Sequence, residues 1–492
     1  MRRCRIILLL AVCAFPLLLA TPAQAGTVVV SPSSSITFSA GPGEINTVTV
    51  EQSGTTYTFT DSTTAIGPSL GCSPVTPNRV TCAAPGIFQL TVTLGDLGDT
   101  GTIAASVVGS GQGISRADGG GGGLNLTVNG DAGNDTINSG PGTTGTYGGG
   151  AGNDTLNGSG MRDRLNGQEG NDILAGGDGS DSLDGGDDND TIAGGAGPDQ
   201  ISSTHRDGAD SLSGGASDFD RLDYGGRTTG VSLTANNVAD DGEGCPGAIC
   251  EGDNMAADIE QITGSRGNDT IVAAGGPNRV NGLEGDDAVD GGAGPDQVSG
   301  DAGADTVQGG PGDDVVRGDQ GPDRLGGGSG DDFFTAFDAA GDVFSGGRGL
   351  DLVSFAFSAD PLRIDLDNRA DDGAEGDGAN VRSDVEDIDG GDADDVLVGS
   401  KAANELSGGA GRDRLVGLGG ADGLIGGRGP DTIVGGKASD LLDGGAGPDR
   451  LRARDHRRDE LRCGSAFDVA FADRIDRRAA DCDRVRRGGG KK

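Results

Sequence analysis

Aspartate recurs at every ninth position over much of this 492-residue chain, and each recurrence is wrapped in glycine. The segments 176–184, 185–193 and 194–202 read GGDGSDSLD, GGDDNDTIA and GGAGPDQIS, so the frame is Gly-Gly-x-Gly-x-Asp-x-U-x with U apolar. Carboxylates and exposed carbonyls are hard oxygen donors. Calcium takes six to eight of them at ~2.3–2.6 Å in tolerant geometry. Glycine supplies the carbonyls because it accepts positive φ and lets the backbone turn tightly. An aperiodic acidic run reads as a solvated or disordered face. Aspartates held at constant spacing read as a built array of cation ligands.

Twenty-four units keep the aspartate at the sixth position. They are Asp135, Asp154, Asp163, Asp172, Asp181, Asp190, Asp199, Asp210 and Asp220 in a first array, then Asp269, Asp287, Asp296, Asp305, Asp314, Asp323, Asp332, Asp342 and Asp351 in a second. A third array holds Asp395, Asp413, Asp422, Asp431, Asp440 and Asp449. Two units carry asparagine instead, at Asn278 and Asn404, and the unit at 139–147 has lost the carboxylate. One aspartate per turn binds weakly, so the ligands have to be pooled by stacking, with each ion between adjacent layers. The eighth residue is the element that makes stacking possible: Leu156, Leu165, Leu174, Leu183, Ile192, Ile201, Val289, Val298, Val307 and Val316 point inward from strands of about three residues, with layers ~4.8 Å apart. Without calcium the aspartates crowd one another and so thin a core does not offset chain entropy. With calcium, binding energy becomes folding energy.

This nonapeptide resembles the haemolysin-type, or RTX, calcium-binding repeat. The resemblance implies a parallel β-roll with two nine-residue units per turn and calcium held in the turns. Carried over onto matching positions, it implies carboxylate ligands at Asp154, Asp163, Asp172 and Asp181, at Asp287, Asp296, Asp305 and Asp314, and at Asp413, Asp422, Asp431 and Asp440. It implies carbonyl ligands from the glycine turns and poor binding at Asn278 and Asn404. Many members of that family leave the cell by a dedicated channel with an uncleaved C-terminal signal. This chain departs from them at its N-terminus, which sets aside the toxin analogy.

Residues 1–25, MRRCRIILLLAVCAFPLLLATPAQA, have a basic start, an apolar stretch too short for a comfortable membrane span, and Ala23-Gln24-Ala25. They read as a signal peptide cleaved after Ala25, which predicts a secreted protein. Residues 26–128 alternate polar and apolar positions, as in TVTVE (47–51) and FQLTVTL (88–94), and read as a small β-domain that closes the stack. The arrays span 129–223, 264–354 and 390–452. Inserts at 224–263 and 355–389 separate them and are copies of one another. Asp220–Tyr224 matches Asp351–Phe355, Asn237–Gly242 matches Asn368–Gly373, and Asp258–Ile262 matches Asp384–Ile388. The inserts are expected to continue the stack as strands with a bulging acidic loop, or to form recognition loops. Residues 453–492 are a basic cap or tail, or a contact for an acidic cell-surface or wall polymer.

The formal charge of −40 repels nucleic acid and favours cations. No second apolar segment predicts a membrane span, and the oligomeric state is open. Six cysteines remain after the signal, in the close pairs Cys72/Cys82, Cys245/Cys250 and Cys463/Cys482, as exported disulfides would be. Zinc lacks histidines: only His205 and His456 exist, neither at ligand spacing from a cysteine pair. No His-Glu-x-x-His occurs, Gly67-Pro-Ser-Leu-Gly71 lacks the flanks of a nucleophile elbow, and the Gly-x-Gly-x-x-Gly matches are repeat glycines. The expected function is a calcium-locked structural or surface-interaction protein and not an enzyme. An adhesin using residues 26–128 or the inserts, and a hydrolase of unfamiliar site, are the alternatives.

Overall fold

The computed structural model describes residues 26–487 apart from 32–34, 44, 54–55, 69–71, 84–88, 104–124, 205–207, 217–218, 245–250, 338–340 and 479–480. The expected signal peptide, the Cys245/Cys250 pair, His205 and the end of the Gly67–Gly71 motif lie outside the described residues.

Each nonapeptide makes one short strand and one turn. The strand begins just after the aspartate, and its residues alternate in burial, as in Ser182–Asp187 and Thr432–Lys437. The apolar eighth residue and the first glycine of the next unit are the inward positions. Two units complete one coil, and parallel pairing shifts the register by 18 residues: Leu165 lies on Leu183, Leu174 on Ile192, and Val298 on Val316. The result is the expected all-β parallel β-roll, a solenoid of about 19 turns. At the strand spacing of parallel sheets it is roughly 90 Å long. The core is one column of aliphatic side chains, with Leu165, Leu183, Val316 and Leu415 fully buried.

One wall of the solenoid is a single sheet of 22 strands. The opposite wall is broken into sheets of 11, eight and eight strands. The breaks fall at the two inserts. In the first, Val231–Thr234 starts the new sheet beneath Thr270–Val272, and the chain then doubles back so that Asn254–Met255 finishes the old sheet on Ser211–Ala216. The second insert repeats this with Leu362–Asp365 and Asn380–Val381. A buried carboxylate stitches each break. Asp241 accepts from the N–H groups of both Thr234 and Met255, and Asp372 from those of Asp365 and Val381. The long wall passes both inserts without interruption.

At the N-terminal end, Gln89–Gly95 pairs in parallel with Ser35–Ser39 on one side and Asn125–Ala132 on the other. Thr100–Ile103 likewise joins Thr47–Ser53 to Thr136–Asn138. Beyond these, Thr47–Ser53, Thr56–Asp61 and Arg79–Ala83 turn antiparallel, and a disulfide joins Cys72 to Cys82. At the other end the coil runs past residue 452: Glu460–Arg462, Val469–Ala472 and Arg484–Arg487 add further layers, and Cys463 is bonded to Cys482. Among the described residues no helix is long and apolar enough to cross a membrane.

The turns pack so closely that the fourth position of the 426–434 unit needs glycine. Gly429 has φ +128°, and a methyl group there would lie 1.6 Å from the carbonyl oxygen of Gly411 in the coil below. Leu418, by contrast, is an exposed leucine held at φ +72°, where a β-carbon is strained. Leu418→Gly is therefore expected to raise stability by about 1 kcal/mol and Gly429→Ala to lower it by at least about 2 kcal/mol, both read as denaturation midpoints in calcium.

Candidate metal centre

The repeat aspartates are almost wholly buried: Asp154, Asp172, Asp296 and Asp413 are each 1% exposed. Their two carboxylate oxygens have different fates. The first accepts a hydrogen bond from the backbone N–H of the aspartate one coil earlier. Asp154 donates to Asp172 Oδ1 at 2.7 Å, Asp172 to Asp190 at 2.8 Å, Asp287 to Asp305 at 2.8 Å, and Asp413 to Asp431 at 2.9 Å. The carbonyl of each aspartate is also used, accepting from the first strand residue of the next coil, as Thr191 N–H does to Asp172. Aspartate is thus both ligand candidate and rung of a carboxylate–amide ladder that climbs each edge. Asp210, Asp323 and Asp342 occupy rungs of the same ladder.

The second oxygen is buried without a hydrogen-bond donor. This holds for Asp135, Asp154, Asp172, Asp181, Asp190, Asp199 and Asp220, for Asp287, Asp296, Asp305, Asp314, Asp332 and Asp351, and for Asp413, Asp422, Asp431, Asp440 and Asp449. Buried oxygens normally have partners, and a row of them without any calls for a cation. The first glycine of the unit leaves the space they face. A methyl group on Gly167 would lie 2.0 Å from Asp172 Oδ2 and 2.3 Å from the Gly185 carbonyl oxygen of the next coil.

Asn278 shows which carbonyls converge on that space. Its Nδ2 donates to the carbonyl oxygens of Ala274 and Gly276, both at 2.8 Å, and of Gly291 at 3.1 Å. These are the second and fourth positions of its own turn and the first position of the next coil. The amide –NH2 fills, with two protons, a cage of oxygens. In the aspartate units a carboxylate oxygen replaces the donor, so the cage holds oxygen alone. Carboxylate plus carbonyl donors from two coils, without nitrogen or sulfur, fit calcium and its high coordination number better than magnesium, which retains water. When bound, the ion supplies positive charge that neutralises the carboxylates and ties two coils together.

Three predicted ligands differ. Asp163 accepts from Gly145 N–H with one oxygen and from Ser159 N–H with the other. Asp269 is satisfied by Val231 N–H and by the N–H and hydroxyl of Ser265. Asp395 is satisfied by Leu362 N–H and Gly391 N–H. Each begins a run on its edge, where no full turn lies beneath. Asn404 turns its Oδ1 the same way, to Ser400 N–H at 2.7 Å. In the unit that lost its aspartate, Tyr147 fills the turn and its hydroxyl meets Ser139 Oγ at 2.8 Å.

The frame also missed residues. Asp99 and Asp468 are buried rungs with an unpartnered Oδ2, and Asp459 accepts from Asp440 N–H at 3.0 Å. Their glycine doublets are gone. What remained to find them by was an apolar or small residue two places after the aspartate and, for Asp99 and Asp468, a glycine four places before. A second ladder runs outside the first. Asn134, Asn153, Asn171 and Asn189 each accept, through Oδ1, the N–H of the corresponding residue one coil later. It leans opposite to the aspartate ladder, so each turn is clamped from both neighbours.

Burial raises the carboxyl pKa throughout. Asp172 and Asp190 are pushed up to about 7 by desolvation, opposed by the N–H they accept and reinforced by neighbouring carboxylates. Asp181, Asp287 and Asp413 also reach about 7, and Asp154 and Asp163 about 6, with burial the main cause. Folding of the ion-free chain thus takes up protons. Its stability is fully present below the ordinary carboxylate pKa and is lost as pH rises through about 7. In chelator, far-ultraviolet circular dichroism is expected to show more β-structure at pH 5 than at pH 8, and calcium is expected to abolish the difference. Asn278→Asp is expected to lower stability in chelator by roughly 1–3 kcal/mol, since it sets an oxygen against three carbonyls, and to add one bound ion in calcium titration calorimetry.

No curated protein matches the chain. Residues 127–143, 148–183, 166–201, 263–298, 299–334, 389–424 and 419–451 match the model of the RTX calcium-binding nonapeptide repeat. The two inserts and the basic end fall outside these matches. The arrays that hold the buried carboxylate ladders are thus RTX calcium-binding nonapeptide repeats.

Proposed function

We propose that the protein is a secreted solenoid whose folding is driven by calcium, and that it serves outside the cell as a calcium-locked structural or surface-interaction rod. The observation that carries this reading is the row of buried, donor-free carboxylate oxygens set against carbonyl cages. A chain that buries so many oxygens of one kind pays a desolvation cost that a divalent cation offsets site by site. The aliphatic column alone is one side chain thick per wall. Calcium binding then adds to stability by mass action. Extracellular calcium modules bind at about 10⁻⁴–10⁻³ M, so a chain that remains unfolded before export would lock once outside. The N-terminal segment 1–25 supports export by its composition. The ligands are Asp154, Asp172, Asp181, Asp190 and their equivalents, and the fully bonded Asp163, Asp269 and Asp395 act as structural rungs.

Far-ultraviolet circular dichroism of the mature chain at pH 8 tests the coupling. In millimolar calcium the expected spectrum is that of a β-solenoid, and in chelator most of that signal is lost. Equal β-content in both conditions would refute calcium-driven folding. Asp172→Asn and Asp431→Asn each exchange a carboxylate for an amide and are each expected to lower the number of ions bound in calcium titration calorimetry by one, while Asp395→Asn is expected to leave it unchanged.

A further inference from the structure

Both inserts interrupt the repeat frame, yet along the unbroken wall they leave the ladder intact. The rung above Asp220 is Glu260, whose Oε2 accepts Asp220 N–H at 3.0 Å; the rung above Asp351 is Glu386, which accepts Asp351 N–H at 3.2 Å. The longer acid replaces the repeat aspartate in both copies.

The cage oxygen of the next coil is replaced too. In a regular turn, a methyl on Gly194 would lie 2.4 Å from Asp199 Oδ2 and 2.5 Å from the carbonyl oxygen of Gly214. At the first insert, a methyl on Gly214 would lie 2.4 Å from Asp220 Oδ2 and 2.6 Å from the carbonyl oxygen of Asp258. At the second, Gly346 stands 2.3 Å from Asp351 Oδ2 and 2.5 Å from the Asp384 carbonyl oxygen on the same construction. Asp258 and Asp384 therefore present their carbonyls where a repeat glycine would. Their side chains are anchored by the hydroxyls of Ser213 and Ser345, each at 2.8 Å. Asp220 Oδ2 and Asp351 Oδ2 are buried without a donor, and the two aspartates are 1% and 0% exposed.

One coil further on, the asparagine units fall into place. Arg279 N–H, next to Asn278, bonds the Glu260 carbonyl at 2.7 Å, and Asn404 Nδ2 bonds the Glu386 carbonyl at 2.8 Å. The edge thus reads Asp–Glu–Asn–Asp at both inserts: Asp220, Glu260, Asn278, Asp296, and Asp351, Glu386, Asn404, Asp422. The amide removes the carboxylate that would otherwise crowd the longer glutamate.

We propose that each insert junction is a further divalent-cation site, formed by Asp220, Glu260 and the Asp258 carbonyl in one case, and by Asp351, Glu386 and the Asp384 carbonyl in the other. The Asp-x-Glu motif of the inserts is then a ligand motif of its own. It takes a hard cation of the calcium class and extends the row of ions by one site into each junction, up to the asparagine unit that follows. This proposal rests on the calcium reading of the repeats.

Anomalous diffraction at long wavelength from calcium-loaded crystals of the full mature chain tests it. The expected map has peaks in the repeat turns and one further peak at each junction. Glu260→Gln keeps an oxygen for Asp220 N–H, so the coil is expected to persist while the first junction peak alone is lost; Glu386→Gln is expected to remove the second alone. Repeat peaks without junction peaks would overturn this proposal and leave the repeat reading standing. A junction peak that survives Glu260→Gln would overturn the role of the glutamate. Absence of peaks everywhere would overturn the calcium reading itself. Should either variant fail to crystallise, the map of the parent protein still decides.

Discussion

The structure depends on one carboxylate doing two unlike things. One oxygen of each buried aspartate is hydrogen-bonded to the coil below, which fixes the side chain and holds the layer spacing. In eighteen of the twenty-four units the other oxygen is left without a donor, facing carbonyls. Everything local follows from accommodating that arrangement. The first glycine is required because any side chain there would occupy the space beside the free oxygen. The eighth residue must be apolar because the strand between two such turns has one inward side chain to contribute. The 18-residue register follows because the carboxylate of one layer must meet the amide of another on the same edge.

The same constraint explains how the inserts are tolerated. A solenoid can lose a wall only if the backbone groups at the break are satisfied. Asp241 and Asp372 do this by accepting from the last strand of one sheet and the first strand of the next. In the first insert, Arg227 and Glu251 add a buried ion pair, and Tyr224 donates to Asp253 at 2.7 Å. The second insert has Phe355 in place of Tyr224 and so lacks that hydroxyl, while the carboxylate stitch is common to both. Because each break is confined to one wall, the coils on either side stay in register along the other.

The repeat frame and most of the aspartates that form the ladder were legible in the sequence, because both follow from a period of nine, while the parallel strand direction came from the family resemblance and the hydrogen bonding of the rungs only from the structure. Less was legible where chemistry substitutes for the consensus. Glu260 and Glu386 read as ordinary insert acids, since a glutamate at a rung is visible only once Asp220 and Asp351 are seen beneath it. Asp459 and Asp468 were hidden because their turns are built from arginine, histidine and cysteine instead of glycine pairs. Asp163, Asp269 and Asp395 keep the aspartate and the apolar eighth residue but depart from the frame's glycines, with Ser159 and Ser265 at the second position and Met161 and Ala393 at the fourth. The missing turn below them is a non-local feature that the frame does not record. The outer asparagine ladder lies at a position the frame treats as free, and only the lean of its hydrogen bonds gives it a role.

Asn278 makes the physical choice between two kinds of turn explicit. Its amide satisfies the three carbonyls by itself, so the turn is complete whatever the solvent contains. Asparagines bonded like Asn278 at every sixth position would leave no cage of bare oxygens. Such a solenoid would carry far less negative charge and no raised carboxyl pKa. An aspartate at the same place leaves the turn incomplete until a proton or a cation arrives. With pKa values near 7, the proton is the weaker of the two completions in neutral, calcium-rich surroundings. The predominance of aspartate over asparagine along both edges therefore converts an intrinsically stable stack into a conditional one. Under the proposed role, that condition is the ionic composition of the space outside the cell.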